Sequence, residues 1–239
     1  MKKFLFLTIM ILGIIVSKAQ KTIYDANAQV RQAKGFHAIQ VSGGIDLFLS
    51  SGEEALAVSA REAEDRGRIK TEVENGVLKI WFDWKEGGNF LKGGNRQLKA
   101  YVSYKTLDRL SASGGSDVVV DGTINAGKFT LSISGGSDFR GSLNAQEVTV
   151  DQSGGADIDI SGKASRITIN ASGGSDFDGY GLEAETATVG ASGGSDVQIT
   201  VTKQLTANAS GGSDVSYKGN ASAVTSNKSG GSSIRKSGK

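Results

Sequence analysis

Apolar and polar residues alternate in short runs along most of the chain after residue 110. Phe129, Leu131 and Ile133 form one such run, and the alternating residues of 197–201 form another. An alternation with period two places every second side chain on the same face, which is the pattern of a β-strand. The i, i+3, i+4 apolar stripe of an amphipathic helix does not occur here. This part of the chain is therefore predicted to consist of short strands joined by tight turns.

A five-residue motif recurs between these strands. Its form Ser-Gly-Gly-Ser-Asp begins at residues 113, 134, 172, 192 and 210, and the variants Ser-Gly-Gly-Ala-Asp and Ser-Gly-Gly-Ser-Ser begin at residues 153 and 229. Successive copies start 18 to 21 residues apart, and an apolar residue follows each copy. One such unit cannot bury its own apolar face, whereas stacked units can. The sequence therefore predicts an all-β fold over residues 111–239, a right-handed parallel β-helix (solenoid) with coils of about 19 residues.

The spacing of the motif also selects among solenoid types. A left-handed β-helix follows a strict hexapeptide pattern, which this chain lacks, so the variable spacing favours a right-handed coil. Interior strands must donate every N–H to a neighbouring coil, and the absence of proline agrees with this requirement. A β-propeller and a flat β-sandwich are the alternatives, although a propeller blade needs about twice the observed period.

The two glycines of each motif predict a sharp corner in the backbone. Glycine adopts positive φ without a steric penalty and lets the backbones of neighbouring coils approach closely. The structural turns predicted in this way are at Gly114, Gly115, Gly135, Gly136, Gly154, Gly155, Gly173, Gly174, Gly193, Gly194, Gly211 and Gly212.

The last residue of the motif predicts a file of carboxylates along the solenoid. Its members are Asp117, Asp138, Asp157, Asp176, Asp196 and Asp214. Like charges about 5 Å apart repel one another, so another interaction must offset the repulsion. Hydrogen bonds from turn N–H groups are one explanation. The other is a divalent metal, Ca²⁺, that bridges the coils through carboxylate and backbone oxygens. No other cofactor is expected.

The seventh copy of the motif differs from the others. Ser233 replaces the aspartate, and residues 234–239 that follow it are strongly basic. Terminal coils need a polar outer face that prevents end-to-end stacking. These residues are therefore predicted to form a basic C-terminal cap, and a disordered tail is the alternative.

Residues 20–110 form a less regular, β-rich part of the chain. Ser42-Gly43-Gly44-Ile45-Asp46 is a degenerate eighth copy of the motif, and Asn75-Gly76 between two apolar runs is a strong hairpin signal. Residues 53–67 have room for one helical turn. This part is predicted to be either the irregular start of the same solenoid or a β-sandwich cap upon it.

A glycine-rich segment, residues 85–95, marks the candidate ligand-binding region. Two tryptophans, Trp81 and Trp84, precede this segment, and the segment itself contains Phe90 and Lys92. If the strand continues through them, Trp81 and Trp84 fall on opposite faces. We therefore expect one of the two tryptophans in the core and the other at the surface.

The N-terminus has the pattern of a secretory signal peptide. Met1-Lys2-Lys3 is basic, residues 4–16 are a nearly unbroken apolar run, and Ser17-Lys18-Ala19 ends with small residues. This run is too short for a bilayer core, which needs about 20 apolar residues. Residues 1–19 are therefore predicted to be removed on export to the periplasm, the outer-membrane surface or the medium. No transmembrane segment is expected after cleavage.

Charge and composition exclude several function classes. The chain has 27 Lys and Arg against 25 Asp and Glu, and three of the lysines lie in the predicted signal peptide. Such a near-neutral chain lacks the basic surface that nucleic-acid binding requires, so no nucleic-acid partner is expected. The absence of cysteine excludes disulfides, thiolate metal sites and a cysteine nucleophile. Export of a cysteine-free chain favours a bacterial envelope protein.

The order of these features resembles a known family. The segments that carry the resemblance are GFHAIQVSGGIDL at residues 35–47, NGVLKI at 75–80 and LDRLSASGGSD at 107–117. After a signal peptide, this order is similar to the putative auto-transporter adhesin, head GIN domain family, which occurs mostly in Bacteroidetes. The resemblance covers essentially the whole mature chain. It implies an exported right-handed β-helical protein, and the family name suggests adhesion.

Three function classes remain in view. The first is a non-enzymatic cell-envelope or surface protein, an adhesin that binds glycan or another surface. The second is a scaffold or sensor component that binds another envelope protein, and the oligomeric state is open in both.

The third class is a β-helical polysaccharide lyase or hydrolase. Glycoside hydrolysis needs two positioned carboxylates, and candidates are Asp151, Asp157, Asp159, Asp176 and Asp178. The repeat itself explains these residues more simply. His37 is the only histidine, which disfavours Ser-His-Asp catalysis and a histidine-rich metal site. No catalytic residue is therefore expected.

Overall fold

The computed structural model describes residues 25–84 and 96–238, most of which lie in β-strands. The predicted signal peptide, the segment 85–95 with Phe90 and Lys92, and Lys239 lie outside the described residues.

The first elements of the described chain are short. They are β1 (Gln29–Arg31), β2 (Ala38–Ser42), β3 (Asp46–Ser51), β4 (Ala55–Ser59), α1 (Ala63–Arg68), β5 (Ile69–Glu74), β6 (Val77–Phe82), β7 (Lys99–Tyr104) and β8 (Arg109–Ser113). The predicted helical turn is α1, which connects β4 to β5 and begins at Ala63. No helix among the described residues is long and apolar enough to cross a membrane.

The regular coils follow, each built on one long bent strand. The long strands are β9 (Val118–Ser134), β10 (Asp138–Ser153), β11 (Asp157–Ala171), β12 (Asp176–Ala191) and β13 (Asp196–Ala209). The last strands are β14 (Asp214–Lys218), β15 (Ala223–Lys228) and β16 (Ser233–Lys236). Each long strand contributes its first residues to one side of the solenoid, called face A, and its last residues to a second side, called face B.

Neighbouring coils pair in parallel through equivalent residues. Phe139 pairs with Ile158 on face A, and Val148 pairs with Ile167 on face B. In three of the four pairs of neighbouring long strands, the pairing register shifts at the bend between face A and face B. These pairings confirm the predicted all-β parallel solenoid, with about 7 turns and a spacing of about 19 residues.

The degenerate motif at Ser42–Asp46 occupies the corner of the first coil. On face B, β2 pairs in parallel with β8, and β8 pairs with the end of β9. On face A, β3 pairs in parallel with the start of β9. The first coil is therefore interrupted by residues 52–108 before the regular coils begin.

Antiparallel strands cover the N-terminal end of the solenoid. On face A, β7 lies beside β3, and β4 and then β1 follow in antiparallel orientation. On face B, β6 lies beside β2, and β5 pairs with it in antiparallel orientation. Asn75 and Gly76 both have positive φ between β5 and β6, as the two-residue hairpin turn predicted there requires.

Alternating side chains of the strands fill the interior. The aromatic rings of Phe129, Phe139 and Phe177 are fully buried, and the inward Leu, Ile, Val and Ala side chains form one continuous cluster with them. The second serine of the motif also points inward: Ser116, Ser137, Ser175, Ser195 and Ser213 are fully buried. The corner therefore carries a row of hydroxyl groups inside the molecule.

The corners fall into two conformational classes. Both glycines have positive φ at residues 43–44, 114–115 and 135–136, which we call the upstream corners. At the corners that begin with Gly154, Gly173, Gly193, Gly211 and Gly230, called the downstream corners, only the first glycine does. The predicted glycine pairs lie at these corners, but Gly155, Gly174, Gly194 and Gly212 do not use the left-handed region.

The last coil leaves the C-terminal end of the core open. Val224 is 43% exposed, and every residue of β15 is exposed. Lys228 pairs with the inward Ala209, and Lys236 pairs with Tyr217, so the last coil places lysines at inward positions. Inward charges of this kind oppose the addition of a further coil.

Candidate functional site

A groove runs along the solenoid axis between face B and the corners. The final residues of the face-B strands line its main part: Asn170, Ala171, Ser172, Gly190, Ala191, Ser192, Asn208, Ala209, Ser210, Asn227, Lys228 and Ser229. This part has a volume of about 480 Å³. A second part of about 360 Å³ is lined by residues 132–134 and 151–153 and shares Asn170 and Ser172. We call both parts together the corner groove.

Small residues explain why the surface is concave here. Ala171, Ala191 and Ala209 form the floor, and the first serine of each motif forms one wall. The opposite wall is the row of residues two positions earlier, with Asn170, Asn208 and Asn227 among them. The pattern Asn-x-Ser before Gly-Gly was visible in the sequence at residues 170, 208 and 227, but its role in a groove was not recognised.

Hydrogen bonds between neighbouring coils hold the asparagines of the wall. Asn170 Nδ2 donates to Asp151 Oδ1 at 2.9 Å, and Asn227 Nδ2 donates to Asn208 Oδ1 at 2.9 Å. Gly190 interrupts this row between Asn170 and Asn208. The groove therefore has a gap in its wall, with an asparagine fixed on each side.

The rest of face B presents further polar rows in register. One row consists of Thr130, Thr149, Thr168, Thr188, Thr206 and Thr225. In the next row, Glu147 Oε2 lies 2.8 Å from Lys128 Nζ, and its Oε1 lies 3.0 Å from Arg166 Nη1. The hydrogen bond from Lys128 lowers the pKa of the Glu147 carboxyl. Face B is thus a regular surface of hydroxyl, amide and paired charged groups.

The aspartates of the motif form the predicted file on face A. Asp138, Asp157, Asp176, Asp196 and Asp214 pair one with the next. Asp117 continues the file toward the N-terminus, and Asp46 of the first coil, which the prediction did not include, lies close enough to interact with it. Burial, followed by the charges of Asp157 and Asp196, raises the pKa of Asp176. Repulsion along the file is therefore present in the folded protein.

The turn amides do not relieve this repulsion. The main-chain N–H groups of Asp176, Asp196 and Asp214 donate to carbonyl oxygens of the preceding coil, not to carboxylates. Side chains partner some members of the file instead. Lys99 acts on Asp46, and Arg140 Nη2 lies 3.7 Å from Asp138 Oδ2. At the C-terminal end, Ser233 Oγ donates to Asp214, and Arg235 Nη1 lies 3.9 Å from Asp214 Oδ2. The hydrogen-bonding explanation from turn N–H groups is therefore wrong for the described chain.

Calcium binding by the file stays a prediction. Within residues 25–84 and 96–238, no three His, Asp or Glu side chains converge as a metal site would require. The carboxylates form a line with one group per coil. A bridging ion would have to draw its remaining ligands from backbone oxygen and water.

The predicted ligand residues Trp81 and Trp84 lie at the end of β6 and just after it. Trp81 is half-buried on the outer side of β6, opposite Lys70 and Ser42. Trp84 follows the strand and is 40% exposed. Neither tryptophan belongs to the core, so the expectation that one would be buried is wrong.

Trp84 instead belongs to a cluster of aromatic and arginine side chains. Its ring packs edge-on against Phe82, with the centroids 4.8 Å apart. The Arg96 guanidinium lies 5.2 Å from the Trp84 ring centroid, and Arg68 lies 4.7 Å from that of Phe82. Asp65 Oδ1 is 3.3 Å from Arg96 Nε. Phe82, Arg68 and Arg96 were not predicted, because the cluster joins the end of β6, the end of α1 and the segment before β7, which are separate in sequence.

Comparison with known sequences identifies one family. The family described as putative auto-transporter adhesin, head GIN domain, matches residues 35–221. No curated protein matches the chain.

Solved structures share the fold at low sequence identity. A putative adhesin from Bacteroides fragilis has a TM-score of 0.80 at 18% identity, covering 87% of this chain and 95% of its own. A putative lipid binding protein from Parabacteroides distasonis has a TM-score of 0.66 at 18% identity, covering 90% and 98%. A putative adhesin from the same species has a TM-score of 0.64 at 19% identity, covering 88% and 96%.

Proposed function

Because the chain belongs to the putative auto-transporter adhesin, head GIN domain family, we propose that it is an exported, non-enzymatic envelope protein that attaches to a glycan surface. Its place of action is the periplasm, the outer-membrane surface or the medium.

The observation that carries this proposal is the repetition of polar groups across face B. The threonine row spans six coils, and the walls of the corner groove repeat amide and hydroxyl groups at the same spacing. Neighbouring strands lie about 4.8 Å apart, so the surface offers the same donors and acceptors at regular intervals. A regular surface of this kind suits a regular polymer, because many weak contacts add up along it.

The arrangement of carboxylates supports a non-enzymatic role. Asp157 and Asp176 belong to the aspartate file, Asp159 pairs with Asp178, and Asp151 is bonded by Asn170. Four of the five candidate carboxylates are therefore aligned with an aspartate of a neighbouring coil, whereas Asp151 is aligned with Ser132 and Asn170. A glycoside hydrolase needs two carboxyl groups that flank the bond to be cut, whereas Asp157, Asp176, Asp159 and Asp178 lie side by side on face A.

A binding screen tests the proposal. The exported chain is applied to a glycan array and to bacterial and host cell surfaces, with and without Ca²⁺. We expect saturable binding to saccharide, reduced about tenfold by Thr168→Lys in the threonine row, because the lysine replaces a neutral contact. Gln198→Lys, on face A, is the matched control and should bind as the unmodified chain does. Absence of saccharide binding in both conditions would reject the proposal.

A role as a scaffold or sensor that binds another envelope protein is the second candidate. It is favoured by the cluster of Trp84, Phe82, Arg68 and Arg96, since tryptophan and arginine are enriched at the centres of protein interfaces. Crosslinking in cells, repeated with Trp84→Ala, tests this role. A specific crosslinked protein that is lost in the variant would favour it over glycan attachment.

The structural neighbour named as a putative lipid binding protein does not change the ranking of glycan attachment before protein binding. The corner groove is walled by asparagine and serine, and the described interior is filled by its own side chains. An acyl chain would need an apolar cavity, whereas the groove offers hydrogen bonds.

A further inference from the structure

We propose that the corner groove binds a single extended, uncharged polysaccharide chain parallel to the solenoid axis, with successive sugar rings over successive coils. This inference rests on the proposed function, because it names the site and the class of glycan.

The direction of the groove indicates a chain-like ligand. Its lining passes from residues 132–134 to residues 227–229 and takes equivalent positions from every coil between them. Its length therefore increases with the number of coils, whereas its width is set by one strand end and one corner. A ligand that fills it must repeat along one axis.

The chemistry of the walls indicates a neutral, hydroxyl-rich ligand. Asparagine amides and serine hydroxyls both donate and accept hydrogen bonds, as sugar hydroxyls do. Charged side chains lie only toward the two ends, Asp151 at one and Lys228 at the other. An anionic polymer would require a row of arginine or lysine along the groove, and the described lining does not supply one.

The gap at Gly190 is the best-defined binding position. Asn170 donates its amide N–H to Asp151, and a Cβ on Gly190 would lie 3.6 Å from its Oδ1, so this acceptor borders the gap. On the other side, Asn208 Oδ1 is occupied by Asn227, which leaves its amide nitrogen as the group for a ligand. An acceptor and a donor are thus held on the two sides of a space without a side chain. Such preorganisation lowers the entropic cost of binding a sugar hydroxyl pair.

The described lining of the corner groove contains no aromatic side chain on which a sugar ring could stack, so the affinity for a single sugar should be low. A single sugar can make few hydrogen bonds here, and each contributes little net free energy in water. Contacts repeated along the chain raise the overall affinity without any new type of contact. Binding should therefore strengthen as the oligosaccharide becomes longer.

Two substitutions test the site without disturbing the fold. Gly190 does not have positive φ, and its Cβ would meet no atom closer than 3.6 Å, so Gly190→Gln fills the gap with little strain. Asn208→Ala removes the donor on the other side of the gap. Gln198→Ala, on face A, is the matched control. Thermal unfolding of each variant verifies that the coil is intact.

The probes are neutral linear β-1,4-glucan, β-1,4-mannan and β-1,4-xylan oligosaccharides of increasing length, with polygalacturonate as the anionic comparison. Isothermal titration calorimetry measures each affinity. We expect the affinity for at least one neutral series to increase with length and to fall about tenfold in both groove variants, but not in the control.

Each contrary result has a distinct meaning. Saccharide binding that survives both groove substitutions overturns the inference and leaves the proposed function standing. Affinity that is independent of length, or that favours polygalacturonate, also overturns the inference. Failure of every saccharide to bind the unmodified chain, here and on the array, overturns both.

Discussion

The upstream and downstream corners form the same turn with two different hydrogen-bonding arrangements. In the upstream corners, the buried serine is an acceptor: Ser137 Oγ receives the N–H of Ser116, and Ser116 Oγ receives the N–H of Ile45. In the downstream corners of Ser195 and Ser213, the buried serine both accepts and donates: Ser213 Oγ receives the N–H of Ser210 and donates to the carbonyl oxygen of Ala191. One pentapeptide therefore supports two backbone conformations.

The change between the two classes coincides with the one corner of the regular coils that lacks the buried hydroxyl. Ala156 stands at the serine position, and the preceding Gln152 is buried instead of an alanine or isoleucine. Gln152 Nε2 donates to the carbonyl oxygens of Ala156 and Asp176, while its Oε1 and the Oγ of Ser175 have no partner. The motif Ser-Gly-Gly-Ser-Asp occurs in both classes, so the motif alone does not determine which conformation a corner adopts.

Removal of a buried corner hydroxyl should have the largest effect. Ser213→Ala should lower the free energy of unfolding by about 1–3 kcal/mol, because it removes the hydrogen bonds that this buried hydroxyl makes with the N–H of Ser210 and with the carbonyl oxygens of Ala191 and Ser210. Ser175→Ala should change it by less than about 0.5 kcal/mol, because this hydroxyl has no partner to lose. Chemical denaturation measures both values. Equal losses in the two variants would contradict the different hydrogen bonding of these two downstream serines.

The second glycine of the motif provides the next test. Gly136 has a φ of 72° and Gly174 does not have positive φ, while a Cβ at either position would meet no atom within 4 Å. Gly136→Ala should therefore destabilise the fold by about 1–2 kcal/mol through backbone strain alone. Gly174→Ala should be neutral or stabilise slightly, because alanine restricts the unfolded chain. The difference in melting temperature between the two variants is the measurement, and a reversed order would show the corner classes to be misassigned.

The corner at which the upstream class changes to the downstream class should show energetic coupling between its two unusual residues, Gln152 and Ala156. Gln152→Ala combined with Ala156→Ser restores the sequence of the later corners. We expect Gln152→Ala alone to destabilise, because its two hydrogen bonds are lost, and the second substitution to recover about 1 kcal/mol. A double-mutant cycle in denaturant gives this coupling energy. Simple additivity would indicate that the two positions act independently.

A substitution in the aspartate file should have the smallest effect on folding stability, and this effect should depend on pH. The folded protein raises the pKa of Asp176 above its ordinary value of 3.8, so it binds a proton more tightly than the unfolded chain does. Stability should therefore fall as pH rises from about 3.8 through the raised value, and Asp176→Asn should remove this part of the loss. At neutral pH the gain should stay below about 1 kcal/mol, since solvent screens the exposed carboxylate.

Melting curves across the acidic range measure this dependence, and Asp151→Asn, outside the file, is the control. Adding Ca²⁺ tests the metal hypothesis in the same experiment. A rise in melting temperature that depends on Asp176 would support calcium bridging, and no shift would count against it.

The repeat made the solenoid predictable from the sequence. The period of the Ser-Gly-Gly motif and the apolar residue after it specify parallel stacking, and Asn75-Gly76 specified its hairpin. The cluster around Trp84 was not predictable, because Arg68 reaches it from the end of α1 and Arg96 from the segment before β7. The corner groove was missed for a different reason. Its walls consist of ordinary residues, Asn and Ser, whose significance appears only when the coils are stacked.

The topology also determines how the molecule responds to mechanical load. Strand pairing on face A begins with β1 at one edge of the sheet and ends with β16 at the other. The two ends of the described chain therefore lie at opposite ends of the sheet. Tension between them acts along the hydrogen bonds that join coil to coil and separates one coil at a time. The exposed last coil, with Val224 and the inward Lys228, is the point of least resistance. An attachment protein built in this way would lengthen stepwise under shear flow and keep its remaining coils folded.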